Sequence, residues 1–388
     1  MSKQEKLEEV EVEVTNLPET NNVGTGWSSR LSFLFLDWQR SFNRRSWHFA
    51  ALSTILVLAL VAVIVIVSSL QANLAPGPVA SLAPGHAATP TPAHYISLNQ
   101  PLADFTGHVG LAINVVWSPD GTRLASGGSD STVQVWNVRT KQRLLVYRGH
   151  SNEVLALAWS PDGTRLASGS RDGTVQVWDA RTGKRLLTYQ SNSGAVFSVA
   201  WSPDGTRLAS GSNDGEVQVW NANSGKHLLS YYGHDSAVLA LAWSPDGTRI
   251  ASGGLDRTVQ IWDAGSGIPY LTYNGHADSV TSIAWSPDGS RIASGSFDTS
   301  VQVWNARTGK TLLTYTGHTN TIYGVAWSPD GQRIASGSSD GTIQIWNAYT
   351  GKHLLTCRSE ALAVAWSRDG TRLASAGSDG LVKVWQVA

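Results

Sequence analysis

Trp159-Ser160-Pro161-Asp162-Gly163-Thr164-Arg165-Leu166-Ala167-Ser168-Gly169-Ser170-Arg171-Asp172-Gly173-Thr174-Val175-Gln176-Val177-Trp178 contains the pattern from which the fold follows. Ser160-Pro161-Asp162-Gly163 carries turn chemistry: proline fixes a negative φ, Asp bonds its own backbone, and Gly accepts a positive φ. Arg165 to Gly169 reads as a short strand and Ser170-Arg171-Asp172-Gly173 as a second tight turn. Thr174 to Trp178 alternates and is β-branched, which marks another strand. Val154 to Trp159 before this stretch and Arg185 to Tyr189 after it complete a unit of four short antiparallel strands.

The unit repeats. Trp117, Trp159, Trp201, Trp243, Trp285 and Trp327 follow one another at 42 residues, and Trp366 comes 39 later. Trp136, Trp178, Trp220, Trp262, Trp304, Trp346 and Trp385 form a parallel series. Together they are fourteen of the 17 tryptophans. A fixed period near 40 residues means one supersecondary unit copied and stacked. A four-stranded sheet cannot bury both faces alone; radial stacking about an axis buries them and leaves only short edges.

Gly149-His150 at the start of a copy and Trp178-Asp179 at the end of its third strand make this chain resemble the WD40 repeat family. The equivalents are Gly107-His108, Gly233-His234, Gly275-His276 and Gly317-His318. The resemblance covers residues 98 to 388 and implies an all-β, seven-bladed propeller. The last copy stops at the end of a third strand, and Leu102 to His108 matches Leu312 to His318 in register. The N-terminal segment 98–106 is therefore expected to complete the seventh blade, as it does in that family.

The resemblance also implies a buried structural network in each copy, here His150, Ser168, Asp172 and Trp178. Five similar copies argue for scaffold, since an active site needs one unique constellation. Asn192 replaces the histidine in the third copy and Glu360 in the seventh; these two blades are expected to be the least stable. The repeated Asp-Gly lacks EF-hand ligand spacing, and hairpin turns account for it, so no metal, cofactor or catalytic residue is assigned.

The residues that break the repetition carry the specificity. The family commonly binds partners through the narrower top face. Two positions per blade are expected there: the one after the first-strand apolar residue, and the one before the turn Asp. Leu155, Arg171, Phe197, Leu239, Leu255, Phe297 and Tyr323 then form an apolar and aromatic arc with Arg171 at one end. Aromatics and Arg are enriched in interface hot spots.

Residues 49–67 hold no charge and would rise about 28 Å as a helix, close to the hydrocarbon thickness. They are preceded by too long a segment for a cleaved signal peptide. A transmembrane helix over 49–70 is expected. Arg30, Arg40, Arg44 and Arg45 precede it, and no Lys or Arg occurs from Gln71 to Thr122, which puts the N-terminus in the cytoplasm and the propeller outside. Residues 1–48 read as a cytoplasmic tail, acidic and solvated at first, then with Leu31, Leu34, Phe35, Trp38 and Phe42 on one helical face, as in an interfacial helix. An irregular juxtamembrane segment is the alternative. Residues 71–97, rich in Ala and Pro, read as a semi-rigid linker.

The chain carries 29 Lys and Arg against 29 Asp and Glu, and the propeller stretch 23 against 22, so no basic stripe points to nucleic acid. The single cysteine, Cys357, has no internal partner. The absence of an Asn-x-Ser/Thr sequon favours a bacterial source. The reading is a membrane-tethered platform for a protein or peptide. An extracytoplasmic sensor, a small-molecule or sugar binder, and a propeller enzyme are the alternatives.

Overall fold

The computed structural model describes residues 96–98, 100–190 and 194–387. The tail, the expected membrane helix and nearly all of the linker lie outside them, as does Asn192. Among the described residues no helix is long and apolar enough to cross a membrane.

Seven sheets are built on four antiparallel strands each, and the sixth carries a fifth, parallel strand at its edge. The second runs Val154–Trp159, Arg165–Ser170, Thr174–Asp179 and Arg185–Gln190. The fold is a seven-bladed β-propeller. Turn chemistry sets the pitch: Gly163 N–H donates to the Ser160 carbonyl at 2.8 Å with φ at +69°, which disfavours a side chain. The Asp162 carboxylate accepts the Ser160 hydroxyl and the Thr164 N–H.

The core lies between blades, in clusters that each join two neighbours. Ala125, Val133, Val135 and Tyr147 of blade one pack with Val154, Leu157, Leu166 and Trp178 of blade two. Every other junction repeats this, including that between blades seven and one. A blade thus owns no core of its own, which is the physical reason for the repetition. Residues 91–388 form one compact unit, and each of these clusters draws only on residues within it, so this part of the chain is a self-sufficient folding unit.

The closing strand is shorter than the sequence suggests. Ala103–Thr106 pairs antiparallel with Leu381–Val384 and completes blade seven. Leu98 is not part of it. Ile96–Leu98 instead pairs in parallel with Leu355–Cys357, as a fifth strand on the edge of blade six. Pro101 separates the two, having no N–H to give to a ladder. Cys357 is fully buried, and burial pushes its thiol up to about 12.

A tyrosine-to-glutamine bond crosses most junctions. The Tyr147 hydroxyl donates to Gln176 Oε1 at 2.5 Å, Tyr231 to Gln260 at 2.7 Å and Tyr315 to Gln344 at 2.6 Å, and Tyr273 donates to Gln302. The same tyrosine rings stack on the next blade's tryptophan, as Tyr231 does on Trp262 at 4.7 Å. Where Phe105 replaces tyrosine, Arg143 donates to Gln134 Oε1 instead. Tyr231→Phe has no such substitute and leaves a buried amide oxygen without this donor. It is expected to cost about 1–3 kcal/mol in equilibrium denaturation. Tyr189→Phe is expected to cost less, because Tyr189 donates at 3.2 Å to the Asn221 carbonyl, which Gly225 N–H also satisfies.

Candidate partner-binding face

In six blades the first strand carries a β-bulge, and the bulged residue is the first of the two positions expected on the top face. The register shifts at Leu155, Phe197, Leu239 and Tyr323, and at Ile113 and Thr281. A bulge leaves one residue unpaired and re-aims its side chain. Simple alternation along the strand hides that extra residue, so the bulge is not legible in the sequence.

The second position is tied to the same end of the ring. The N–H of Arg171 donates to Glu153, that of Leu255 to Ala237 and that of Phe297 to Ser279, each acceptor lying two residues before the bulge. Both series are thus presented together. Leu155, Phe197, Leu239, Leu255, Phe297 and Tyr323 are half-buried, and Arg171 is exposed. Phe297 of blade five meets Tyr323 of blade six edge to face, with ring centroids 6.2 Å apart at 82°. Arg171 is held at 2.9 Å by Glu153. Burial, with the Glu360 carboxylate nearby, raises the Tyr323 phenol above its ordinary value. Thr281 faces a junction instead, and its hydroxyl donates to the Ile322 carbonyl of the next blade at 2.6 Å.

The histidine network lies inside the blades. His150 Nδ1 is 2.8 Å from Asp172 and its Nε2 2.7 Å from Ser168 Oγ. His108, His234, His276 and His318 repeat both contacts. Trp262 Nε1 also donates to Ser252 Oγ, so that serine can turn its own proton to the imidazole and leave Nδ1–H for the carboxylate. Burial opposes ionisation of Asp130, yet the bonds from His108 and Thr132 prevail and hold its carboxyl at about 2. Ser168 is fully buried and His150 nearly so, which denies this Ser, His and Asp any route to a substrate. Trp178 departs from the expected tetrad: its Nε1 has no partner, although six equivalents bond their serine. Stacking on Tyr147, 4.8 Å away and nearly parallel, holds the ring in place instead. Among the described residues no three His, Cys, Asp or Glu side chains group to hold a metal ion.

The two blades that lack the histidine differ. In blade seven Lys383, which stands where the other copies have Gln, brings its ammonium 2.5 Å from Asp379 and 3.0 Å from Ser359, while Trp385 bonds Ser375. A side-chain N–H donor thus again faces the turn carboxylate. Blade three has no such replacement among the described residues. Glu216 stands where other copies have Thr, Ser or Leu; it accepts from Gln218 Nε2 at 2.9 Å. Among the described residues Glu216 Oε1 and Gln218 Oε1 are buried without partners. The outlier at position 216 is readable in the aligned repeats, but its burial is not. Glu216→Thr recreates the bond of Gln176 Nε2 to Thr174 Oγ1 and removes an orphaned carboxylate oxygen. It is expected to stabilise the ring by about 1–3 kcal/mol in chemical denaturation.

Comparison with known proteins agrees with this geometry. The WD domain, G-beta repeat family matches residues 99–137, 141–179 and 351–386. The WDR3 first beta-propeller domain family matches residues 173–347. No curated protein matches the sequence. The chain carries a seven-bladed β-propeller of the WD40 repeat family.

Proposed function

We propose that this chain is a membrane-tethered scaffold whose top face binds a protein or peptide partner. WD40 propellers are generally scaffolds that bind proteins, and that role is consistent with this ring. The observation that carries the finer reading is the bulge and loop pairing. It sets Phe197, Leu239, Leu255, Phe297 and Tyr323 at one end of a rigid ring, with two of the aromatics in contact across a junction. Half-buried aromatics held in place lose little entropy on binding and suit an interface centre. Arg171 adds a charged anchor at one end of the arc, and Leu155 belongs to the same face.

The anchor is residues 49–70, with the N-terminus in the cytoplasm and the propeller outside; its support is the uncharged run 49–67 and the arginines before it. Resistance of the full chain to alkaline extraction from membranes tests the anchor, and protease access to the propeller from outside tests the orientation.

The binding test uses residues 91–388 as bait against native membranes, beside a Phe197→Ala, Phe297→Ala, Tyr323→Ala variant that melts as a folded protein. The variant is expected to lose its partner, with affinity down by about 30-fold or more. Equal capture by both proteins would move the site off this face.

A further inference from the structure

The near-neutral charge of the ring conceals a strong asymmetry around its rim. From Asn137 to Gly149, the outer segment of blade one has Arg139, Lys141, Arg143 and Arg148 and no acid. From Asp179 to Gln190, blade two has Arg181, Lys184 and Arg185, and its one acid, Asp179, is occupied by the Thr182 hydroxyl and N–H of its own turn. The same stretch of blade three has only Lys226, and that of blade four has no Lys or Arg. Blades five and six have two each, Arg307 and Lys310, and Lys352 and Arg358, so the cations are densest on the flank of blades one and two.

That flank has a cleft. At the outer junction of blades one and two an open cavity of about 360 Å³ is lined by Leu145 to Gly149 on one side and by Thr182, Gly183 and Arg185 on the other. Arg148 and Arg185 both line it, and both are exposed. Neither makes a hydrogen bond or ion pair with a described residue. Two free guanidinium groups on one cleft suit an anion with several oxygens, above all phosphate. Apolar side chains stand beside the cations: Leu144 is 51% exposed and Leu186 45%. Exposed leucines among arginines are poorly suited to a soluble polyanion and well suited to a headgroup layer, where the cation meets phosphate and the leucine meets the acyl boundary. Lys141 Nζ also reaches the Leu102 carbonyl at 3.4 Å, so the patch adjoins the strand by which the chain enters the ring.

We propose that the cleft between blades one and two docks an anionic phospholipid headgroup and lays this flank of the propeller on the bilayer surface. The inference rests on the membrane tether proposed above, which keeps the ring beside the lipid that the cleft binds. The top face and this rim are different surfaces, and a docked ring keeps its arc free for a partner.

The test is co-sedimentation of residues 91–388 with phosphatidylcholine vesicles, with and without phosphatidylglycerol. Binding is expected only to the anionic vesicles, to weaken with salt, and to fall about tenfold or more in Arg148→Glu, Arg185→Glu. An Arg307→Glu, Lys310→Glu variant makes the same charge change on blade five and is expected to bind as the wild type does. Leu144→Ala, Leu186→Ala is expected to weaken binding without abolishing it. No binding to anionic vesicles, or equal loss in the blade-five variant, overturns the proposal. Tight binding of inorganic phosphate to the cleft with no binding to vesicles overturns the lipid source. Because the vesicles hold no anchor, these outcomes are independent of alkaline extraction of the full chain, so failure of the cleft and failure of the tether are told apart.

Discussion

An indole N–H donated to the carbonyl of the preceding blade is the bond on which this ring depends. Trp159 donates to Val116, Trp201 to Ala158, Trp243 to Ala200, Trp285 to Ala242, Trp327 to Ala284 and Trp366 to Ala326, at 3.0 to 3.3 Å. Trp117 donates to Ala365 and closes the circle. The donors are nearly buried, and a buried carbonyl deprived of its partner is costly. An arginine of the preceding blade covers most of these rings. Arg165 lies 4.7 Å from the Trp201 centroid, and Arg372 of blade seven lies 4.9 Å from that of Trp117. Arg249 is the exception and sits over Tyr270. The Trp-Ser-Pro-Asp-Gly motif is therefore a coupling between blades as much as a turn within one.

This explains which parts of the sequence are free to vary. Residues that face a junction must match a partner in the neighbouring blade, and in two places both have changed. Phe105 goes with the Arg143 to Gln134 bond, and Cys357 stands before the blade whose Gln has become Lys383. Residues at bulges and turn tips are freer: Thr281 bonds the next blade and Phe297 meets Tyr323, but the two series share no such repeated partner. There Arg171, Leu255 and Phe297 appear where the other copies have Ser or Asn. The same separation allows two surfaces on one scaffold: an apolar arc at one end of the ring and a basic flank on its rim.

Much of the ring can be read from the sequence because its determinants are local and repeated. Ser160-Pro161-Asp162-Gly163 specifies a turn by itself, and seven copies of the pattern remove the ambiguity of one. Three features escape that reading for physical reasons. Ile96–Leu98 is too short to announce a strand, and its parallel pairing with blade six is a long-range contact. The bulges add a residue that strict alternation cannot register; Leu155, Phe197, Leu239 and Tyr323 of the arc stand at them. The missing bond of Trp178 and the orphaned oxygens of Glu216 and Gln218 depend on how neighbours pack in three dimensions. Charge reads as an even total along the chain, and only the packing of blades one and two shows that Arg148 and Arg185 line one cleft.

The central claim is that cohesion lies between blades and not within them. Hydrogen exchange on residues 91–388, comparing the wild type with Trp243→Phe, tests it directly. The substitution removes the N–H that blade four gives to blade three while leaving an aromatic ring in the junction core. The account predicts faster exchange in the strands of both blades three and four, which share that core. Faster exchange confined to blade four, or no change in either, would contradict it.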